Sequence, residues 1–272
     1  MENEILRADV ALVRRGLAPS RERAQALIAG GLAYQNGRPL TKPAQKIAPE
    51  DDLQVLGSDR PYVSRGGLKL EKALKVFGVA VDGVIALDVG ASTGGFTDVL
   101  LQNGAAKVYA VDVGHDQLDP SLRTDPRVVS MEGVNARQLP VDSFDPLPTL
   151  AVMDVSFISI RLILPGLFSL LGESGRVLAL IKPQFEAGRA NIGKGGVVTR
   201  PDVHEAVLRS IVEFVPPLGW RVNALDYSPI SGGDGNLEFL ADLMPVQSAG
   251  PGPAPESIRN LVRAARAALS GK

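Results

Sequence analysis

The sequence predicts an α/β protein: a mostly parallel sheet with helices on both faces and a terminal antiparallel hairpin, preceded by a small α+β unit. Three observations predict it. Apolar runs at 85–89, 107–111, 150–154 and 176–181 alternate with helical stretches at 95–103, 160–171 and 201–215. Such alternation is the pattern of parallel strands joined by crossover helices. Two further strands, 220–227 and 236–243, are joined by Ser231-Gly232-Gly233-Asp234-Gly235 and read as a hairpin at the sheet edge. The first sixty residues have shorter elements and their own charge balance.

At 272 residues the chain has room for one large domain or two unequal ones, and 45% apolar residues suffice for a core. With 29 basic and 30 acidic residues, the net charge announces no partner. Zero cysteines and two histidines exclude disulfides, thiolate metal sites, a cysteine nucleophile and a three-histidine zinc site. No run of eighteen uncharged apolar residues exists, and Met-Glu-Asn-Glu-Ile-Leu-Arg lacks the apolar stretch of a secretory signal. The expectation is a cytoplasmic protein with no stable membrane association; the oligomeric state is not legible.

Between residues 5 and 48, eight Lys or Arg stand against Asp9 and Glu22, a balance of +6 that the run Glu50-Asp51-Asp52 masks in the total. Residues 10–15 predict a helix, and Ser20 predicts an N-cap for a second at 21–29, stopped by Gly30-Gly31. Strands at 32–35 and 38–41 flank Asn36-Gly37, a type I′ hairpin signal, and 53–56 predicts another strand. Arg14 and Arg15 end the first helix while Arg21 and Arg23 open the second, so four guanidinium groups converge on one turn. A solvated charged face and an RNA-phosphate site both fit that arrangement. The run Leu-Val-Arg-Arg-Gly-Leu-Ala-Pro-Ser-Arg-Glu-Arg-Ala-Gln-Ala-Leu-Ile resembles the small RNA-binding domain shared by a ribosomal small-subunit protein, pseudouridine synthases and tyrosyl-tRNA synthetases. The resemblance covers residues 6 to about 56 and implies contact with structured RNA.

The predicted boundaries are 1–57 for this RNA-binding domain, 58–63 for a linker, 64–245 for the α/β domain, and 246–272 for a Pro/Gly tether and an amphipathic helix. Ser64 is expected to cap a helix through about Phe77, with Leu70, Leu74 and Phe77 on its apolar stripe and Lys69 off it. The last segment places Ile258, Leu261, Val262, Ala265 and Leu269 on one face and Arg259, Arg263 and Arg266 elsewhere. It reads either as a helix packed on the main domain or as a basic arm reaching RNA.

After the first strand of the sheet comes Asp88-Val89-Gly90-Ala91-Ser92-Thr93-Gly94-Gly95-Phe96-Thr97. Its glycines allow close backbone approach to a ligand. Gly90 and Gly94 are four apart, unlike the Gly-x-Gly-x-x-Gly dinucleotide fingerprint. Asp88 suits a ligand with a cationic or donor group and little phosphate, and Asp112, 24 residues on, is placed to accept from ribose hydroxyls. Together with Val113 they look like the S-adenosyl-L-methionine site of a Rossmann-like class I methyltransferase; ligand-free structural glycines are the alternative.

Asp154 and Lys182 end two successive strands and should face the same crevice. Lys69 and Glu238 complete a neutral set of two ammonium and two carboxylate groups, for which a purely structural ion-pair cluster is the plainer reading. The motifs Ser-Arg-Gly-Gly-Leu-Lys-Leu, Asp-Val-Gly-Ala-Ser-Thr-Gly-Gly-Phe-Thr, Met-Asp-Val-Ser-Phe-Ile-Ser and Ile-Lys-Pro-Gln-Phe-Glu resemble the TlyA, or hemolysin A, family. That resemblance spans nearly the whole chain. It implies an FtsJ-like methyltransferase that methylates ribose 2′-hydroxyls of rRNA cytidines, with a Lys-Asp-Lys-Glu tetrad falling on Lys69, Asp154, Lys182 and Glu238.

Chemistry supports the same acceptor. A ribose hydroxyl is a weak nucleophile and benefits from a base. Lysine is the best candidate, since His115 and His204 lie outside the strand-end motifs. A lysine base needs its pKa lowered from about 10.4 toward roughly 7–8, which a second ammonium and partial burial favour. The expected roles are Lys182 as base, Lys69 tuning it or orienting the ribose, and Asp154 and Glu238 holding the lysines. No metal is needed. Base-carbon methylation would want a cysteine, and no Asn- or Asp-Pro-Pro-aromatic motif follows the fourth strand; Asp145-Pro146-Leu147-Pro148 reads as a turn before it. The loop 186–198, with Arg189 and Lys194, is either a lid contacting RNA or a solvated loop, and Arg65 joins the expected RNA contacts. A membrane-active hemolysin and a non-catalytic ribosome-assembly factor are the alternatives to an enzyme acting on rRNA or a ribosomal subunit.

Overall fold

The computed structural model describes residues 5–56, 61–139 and 141–269. It divides into two compact units, Met1–Pro61 and Tyr62–Lys272. Half of the expected linker, residues 58–60, lies outside the described residues.

The first unit runs β1 (Leu6–Arg7), α1 (Ala8–Arg14), α2 (Arg21–Ala29), β2 (Ala33–Gln35), β3 (Arg38–Pro39), β4 (Lys46–Ile47) and β5 (Leu53–Val55). Ser20 Oγ accepts from Arg23 N at 3.2 Å, capping α2 as expected. Asn36 and Gly37 have φ of 51° and 74°, the two left-handed positions of a type I′ turn. That turn pairs β2 with β3, and β5 pairs with the other edge of β2. Leu12, Leu27, Ile28, Leu40 and Ile47 form the core between helices and strands.

The second unit opens with α3 (Gly67–Phe77) and continues β6 (Ile85–Val89), α4 (Gly95–Gln102), β7 (Lys107–Asp112), α5 (Pro120–Arg123), β8 (Val128–Glu132), β9 (Leu150–Met153) and α6 (Leu164–Leu171). Then follow β10 (Arg176–Ile181), α7 (Pro183–Glu186), α8 (Pro201–Phe214), β11 (Trp220–Tyr227), β12 (Phe239–Pro245) and α9 (Pro255–Leu269). Seven strands form one sheet in the order β11-β12-β10-β9-β6-β7-β8. The five from β10 to β8 are parallel, whereas β12 runs antiparallel to β10 and β11 antiparallel to β12. Buried apolar side chains fill both faces of the sheet, which is why its strands read as continuous apolar runs.

Three local expectations are corrected, and one strand was not expected. Ser64 does not cap α3: its carbonyl accepts from Gly67 N at 3.1 Å, and the helix starts at Gly67, where a Cβ would meet the Tyr62 ring at 2.6 Å. The 160–171 stretch divides into a 3-10 turn at Ile160–Leu162, capped by Ser159, and α6, because Pro165 sits at the start of α6 and supplies no N–H. The edge strand β8 was not legible, since its five residues are only partly buried or exposed and lack a periodic signal. Residues 236–238 precede β12 instead of belonging to it. The terminal helix α9 packs on the main unit: Ile258, Val262 and Ala265 join the core of α8 and β11, and Arg266 Nη1 donates to Thr199 O at 2.6 Å.

Candidate active site

The site forms at the carboxyl ends of β6, β7, β9 and β10. Gly90, at φ 82°, brings the β6 loop so close to the end of β9 that a Cβ would stand 2.7 Å from Asp154 O. Gly94, at φ 97°, packs against Leu118 and Leu122 on its far side. Glycine is required at both positions, by conformation and by space.

Asp88 acts behind this loop. It is fully buried, and its Oδ2 accepts from Thr97 N at 2.9 Å and from Thr97 Oγ1 at 2.7 Å, tying β6 to the first turn of α4. Asp88 lines neither cavity described below, and its other oxygen, Oδ1, is buried without a hydrogen-bond partner. Burial pushes its pKa up to about 7 against the opposing pull of the two Thr97 bonds, and Asp154 and Asp112 add to the rise. Asp112, by contrast, is half-exposed: its Oδ2 accepts from Ser92 N at 2.8 Å and its Oδ1 from Gly114 N at 2.7 Å.

Two cavities meet over the loop. The larger, about 560 Å³, is lined by Gly90, Ser92, Asp112, Val113, Val134, Asn135 and the 154–158 segment. The smaller, about 190 Å³, is lined by Ser64, Gly66, Ala91, Thr93, Gly95, Phe96 and Lys182. Gly90, Ser92, Asp154 and Ser156 line both. Of the expected cofactor loop, Gly94 faces the protein interior instead.

The four charges form an alternating chain. Glu238 Oε2 is 2.7 Å from Lys69 Nζ, Lys69 Nζ is 3.2 Å from Asp154 Oδ2, and Asp154 Oδ1 is 2.6 Å from Lys182 Nζ. Lys182 Nζ also donates to Ser156 Oγ at 2.8 Å. Lys69, Lys182 and Glu238 are buried, and Asp154 is partly so. Burial disfavours the Lys69 ammonium, but Asp154 and Glu238 together outweigh it and hold its pKa above the ordinary lysine value. Lys69 therefore stays charged. It lines neither of these two cavities, whereas Asp154 lines both and Lys182 the smaller.

Sequence reasoning missed Phe157. It is 91% exposed, its backbone is left-handed at φ 63°, and its ring lies 5.2 Å from that of Phe185. The ring stands at the mouth of the larger cavity, one residue from Ser156. Its proximity to Asp154 in the motif was the available signal; the backbone conformation left none.

In the first unit the arginines are less available than expected. Arg21 Nη2 donates to the buried Asp9 Oδ2 at 3.1 Å. Arg15 donates to the carbonyls of Ala48, Pro49 and Asp51, clamping the acidic turn. Arg14 and Arg23 lie at the two helix ends as expected. Arg65 and Lys194 are exposed on the second unit. Among the described residues, no helix is long and apolar enough to cross a membrane.

The donor set and shape fit S-adenosylmethionine. Together the cavities reach the few hundred Å³ of small-molecule sites. Asp112 offers carboxylate oxygens, Val113 and Val134 offer apolar surface, and the glycine loop admits close backbone approach.

Comparison with known proteins agrees with this geometry. The FtsJ-like methyltransferase family matches residues 62–243, and the S4 domain family matches residues 6–53. Hemolysin A of Brachyspira hyodysenteriae is 44% identical over 87% of this chain and 98% of its own length. The 16S/23S rRNA (cytidine-2′-O)-methyltransferase TlyA of Mycobacterium tuberculosis is 44% identical over 86% of this chain and 88% of its own. The solved structure of a candidate hemolysin from Streptococcus thermophilus superposes with a TM-score of 0.74 at 48% identity, covering 98% of this chain and 97% of the other. With the loop, the strand-end charges and both domain matches in register, this chain belongs to the TlyA and hemolysin A family of FtsJ-like methyltransferases that carry an S4 domain.

Proposed function

We propose that the enzyme transfers the methyl group of S-adenosylmethionine to the ribose 2′-hydroxyl of a cytidine in rRNA. The observation that carries this reading is the alternating Glu238-Lys69-Asp154-Lys182 chain, which ends at Lys182 in the wall of the smaller cavity. S-adenosylmethionine, when bound, supplies a sulfonium-activated methyl group. Asp112, Val113 and the 90–93 loop would hold it.

Two requirements fall on the chain's own residues. A ribose hydroxyl must lose its proton as it attacks, so a base must reach its oxygen. Lys69 is pinned between two carboxylates behind Asp154, which leaves Lys182 as the lysine able to touch a substrate entering from the cavity. Asp154 orients that amine through Oδ1, and Ser156 Oγ accepts from the same nitrogen. The base role requires Lys182 as the neutral amine, its own proton given up to solvent beforehand; the proton taken from the hydroxyl then passes to Lys182 Nζ, and the exposed Ser156 hydroxyl offers its way to solvent.

RNA as acceptor is supported by the S4 domain and by the names of the relatives. Mapping ribose methylation in rRNA from cells with and without this protein tests the proposal. One cytidine or more is expected to lose its 2′-O-methyl group, and to regain it with the purified enzyme and S-adenosylmethionine. An unchanged map overturns the reading and leaves ribosome assembly without catalysis ahead.

A further inference from the structure

A third cavity, of about 370 Å³, shares no lining residue with the two of the methyl-transfer site. It lies where the 159–162 turn, α7 and α8 meet. Its floor is apolar, from Val203, Ala206 and Val207 of α8, and its rim is polar and carries both signs of charge.

Two rim groups are held rigidly. Glu186 is almost fully buried, with its Oε2 accepting from Ser159 Oγ at 2.7 Å and its Oε1 from Ile160 N at 2.8 Å. Arg161 donates through Nη2 to Ser210 Oγ and lies over the Phe214 ring. Its Nε is buried, 3.7 Å from the Glu186 carboxylate, and has no hydrogen-bond partner. Nε thus faces the Glu186 carboxylate, and the exposed third of the Arg161 side chain borders the cavity in a fixed orientation. Asn191 and Arg200, both exposed, extend the rim.

This chemistry selects among occupants. A phosphate is disfavoured, because the Glu186 and Asp202 carboxylates stand beside the guanidinium groups. An apolar side chain would cover the exposed part of the Arg161 guanidinium and the Asn191 amide without giving either a partner. A flat heterocycle with apolar faces and a donor-acceptor edge meets both demands, and unpaired RNA bases are read in this way, by stacking and edge hydrogen bonds. Location points the same way. A single helical turn, about 5–6 Å of axis, carries the chain from Lys182 through α7 to Glu186, and Phe185 between them lies against Phe157.

We propose that this cavity holds an unpaired base of the substrate RNA adjacent to the acceptor nucleotide, and so contributes sequence selectivity. The inference rests on RNA being the methyl acceptor. The probes are rRNA fragments spanning the mapped acceptor, one intact and the others with an abasic residue at either flanking position. For the wild-type enzyme, kcat/KM is expected to fall by about 10- to 100-fold on one abasic fragment, the size of one lost base contact. Ala206→Trp places a large side chain over the floor from an exposed helix position. It is expected to bring the intact fragment down to the abasic level, so that the two substrates become equal. The double variant Asn191→Ala, Arg200→Ala should narrow the same ratio with KM rising and kcat held. Equal wild-type rates on all fragments, or a full ratio retained in Ala206→Trp, would overturn the inference while leaving RNA methylation standing. Absence of methyl transfer to any fragment would overturn both.

Discussion

Lys182 Nζ stands 2.6 Å from Asp154 Oδ1, while the other oxygen of that carboxylate faces Lys69 at 3.2 Å, so one carboxylate bridges two buried ammonium groups, of which Lys182 lines the smaller cavity. The bridge separates roles. Lys69 is enclosed by charge, and Lys182 meets the cavity. Replacing Lys182 by Ala is expected to lower kcat by about 10²–10⁴-fold, the span of a positioned general base. Calorimetric titration should still detect S-adenosylmethionine binding. A Lys182→Ala enzyme of normal kcat would remove the base role.

The inner half of the chain makes a different prediction. Glu238→Gln leaves the buried Lys69 with one partner in place of two and is expected to cost about 2–4 kcal/mol of unfolding free energy. The double variant Lys69→Met, Glu238→Leu removes both buried charges and leaves the Asp154–Lys182 pair intact. It should recover most of that stability while methyl transfer stays impaired, because Asp154 loses its second support. Denaturant unfolding and activity on the same samples separate the outcomes; full activity in the double variant would make the inner pair a structural element alone.

Asp88 predicts a pH dependence. Its folded pKa, near 7, is raised above the ordinary carboxylate value, so the folded state binds the extra proton. Its contribution to stability is fully present below about pH 4 and is lost as pH rises through about 7, a change of a few kcal/mol. Asp88→Asn, which keeps an acceptor for Thr97, should flatten the unfolding free energy between pH 4 and 7 in ligand-free protein. An equal slope in both proteins would contradict the shifted titration.

The pattern of what was legible follows from the range of each interaction. Ser20 capping α2 and the Asn36-Gly37 turn are local, and both appear where the sequence placed them. The parallel strands announced themselves because burial on two faces makes them continuously apolar, whereas β8 at the edge carried no such signal. Asp154 and Lys182 could be placed together because each follows the end of a strand, whereas Lys69 and Glu238 were joined to them only by the family resemblance. Ser64 failed as a cap because its carbonyl, and not its hydroxyl, accepts from Gly67 N in the turn before α3. The partners of Arg15 and Arg21 depended on tertiary contacts with carbonyls 33–36 residues away and with Asp9, which no local pattern encodes.

Asp9 illustrates that last point and can be tested. Its buried carboxylate accepts from Arg7, Arg21 and Gln25 on both sides of the first helix. The Arg7 bond leads in holding its pKa well below the ordinary value against burial, with Gln25 and Arg21 assisting. Stability from Asp9 is thus present above about pH 4 and is lost as pH falls through its depressed folded pKa. Asp9→Ala is expected to destabilise the first unit by about 1–3 kcal/mol, moderated because Arg7 and Arg21 remain exposed enough to be rehydrated. It also releases Arg21. RNA binding measured by filter retention at low salt should then hold or tighten at temperatures where the unit stays folded; loss of binding in the folded variant would show that Asp9 presents Arg21 in the competent geometry.

Phe157 carries the strongest conflict between stability and activity. A non-glycine residue in the left-handed region costs on the order of 1–2 kcal/mol, and at 91% exposure the ring recovers almost nothing by burial. Its position beside Ser156 and over the cavity mouth supports a role in stacking on the acceptor base. Phe157→Gly relieves the backbone but adds about 0.5–1 kcal/mol of unfolded-chain entropy. The net expectation is a thermal midpoint unchanged or slightly higher. Loss of one stacked base is worth about 1–3 kcal/mol, so KM for RNA should rise at least several-fold while S-adenosylmethionine binding holds. Phe157→Tyr keeps a stacking ring and should retain activity. A glycine variant that is less stable yet fully active would show that the ring serves folding and not the substrate.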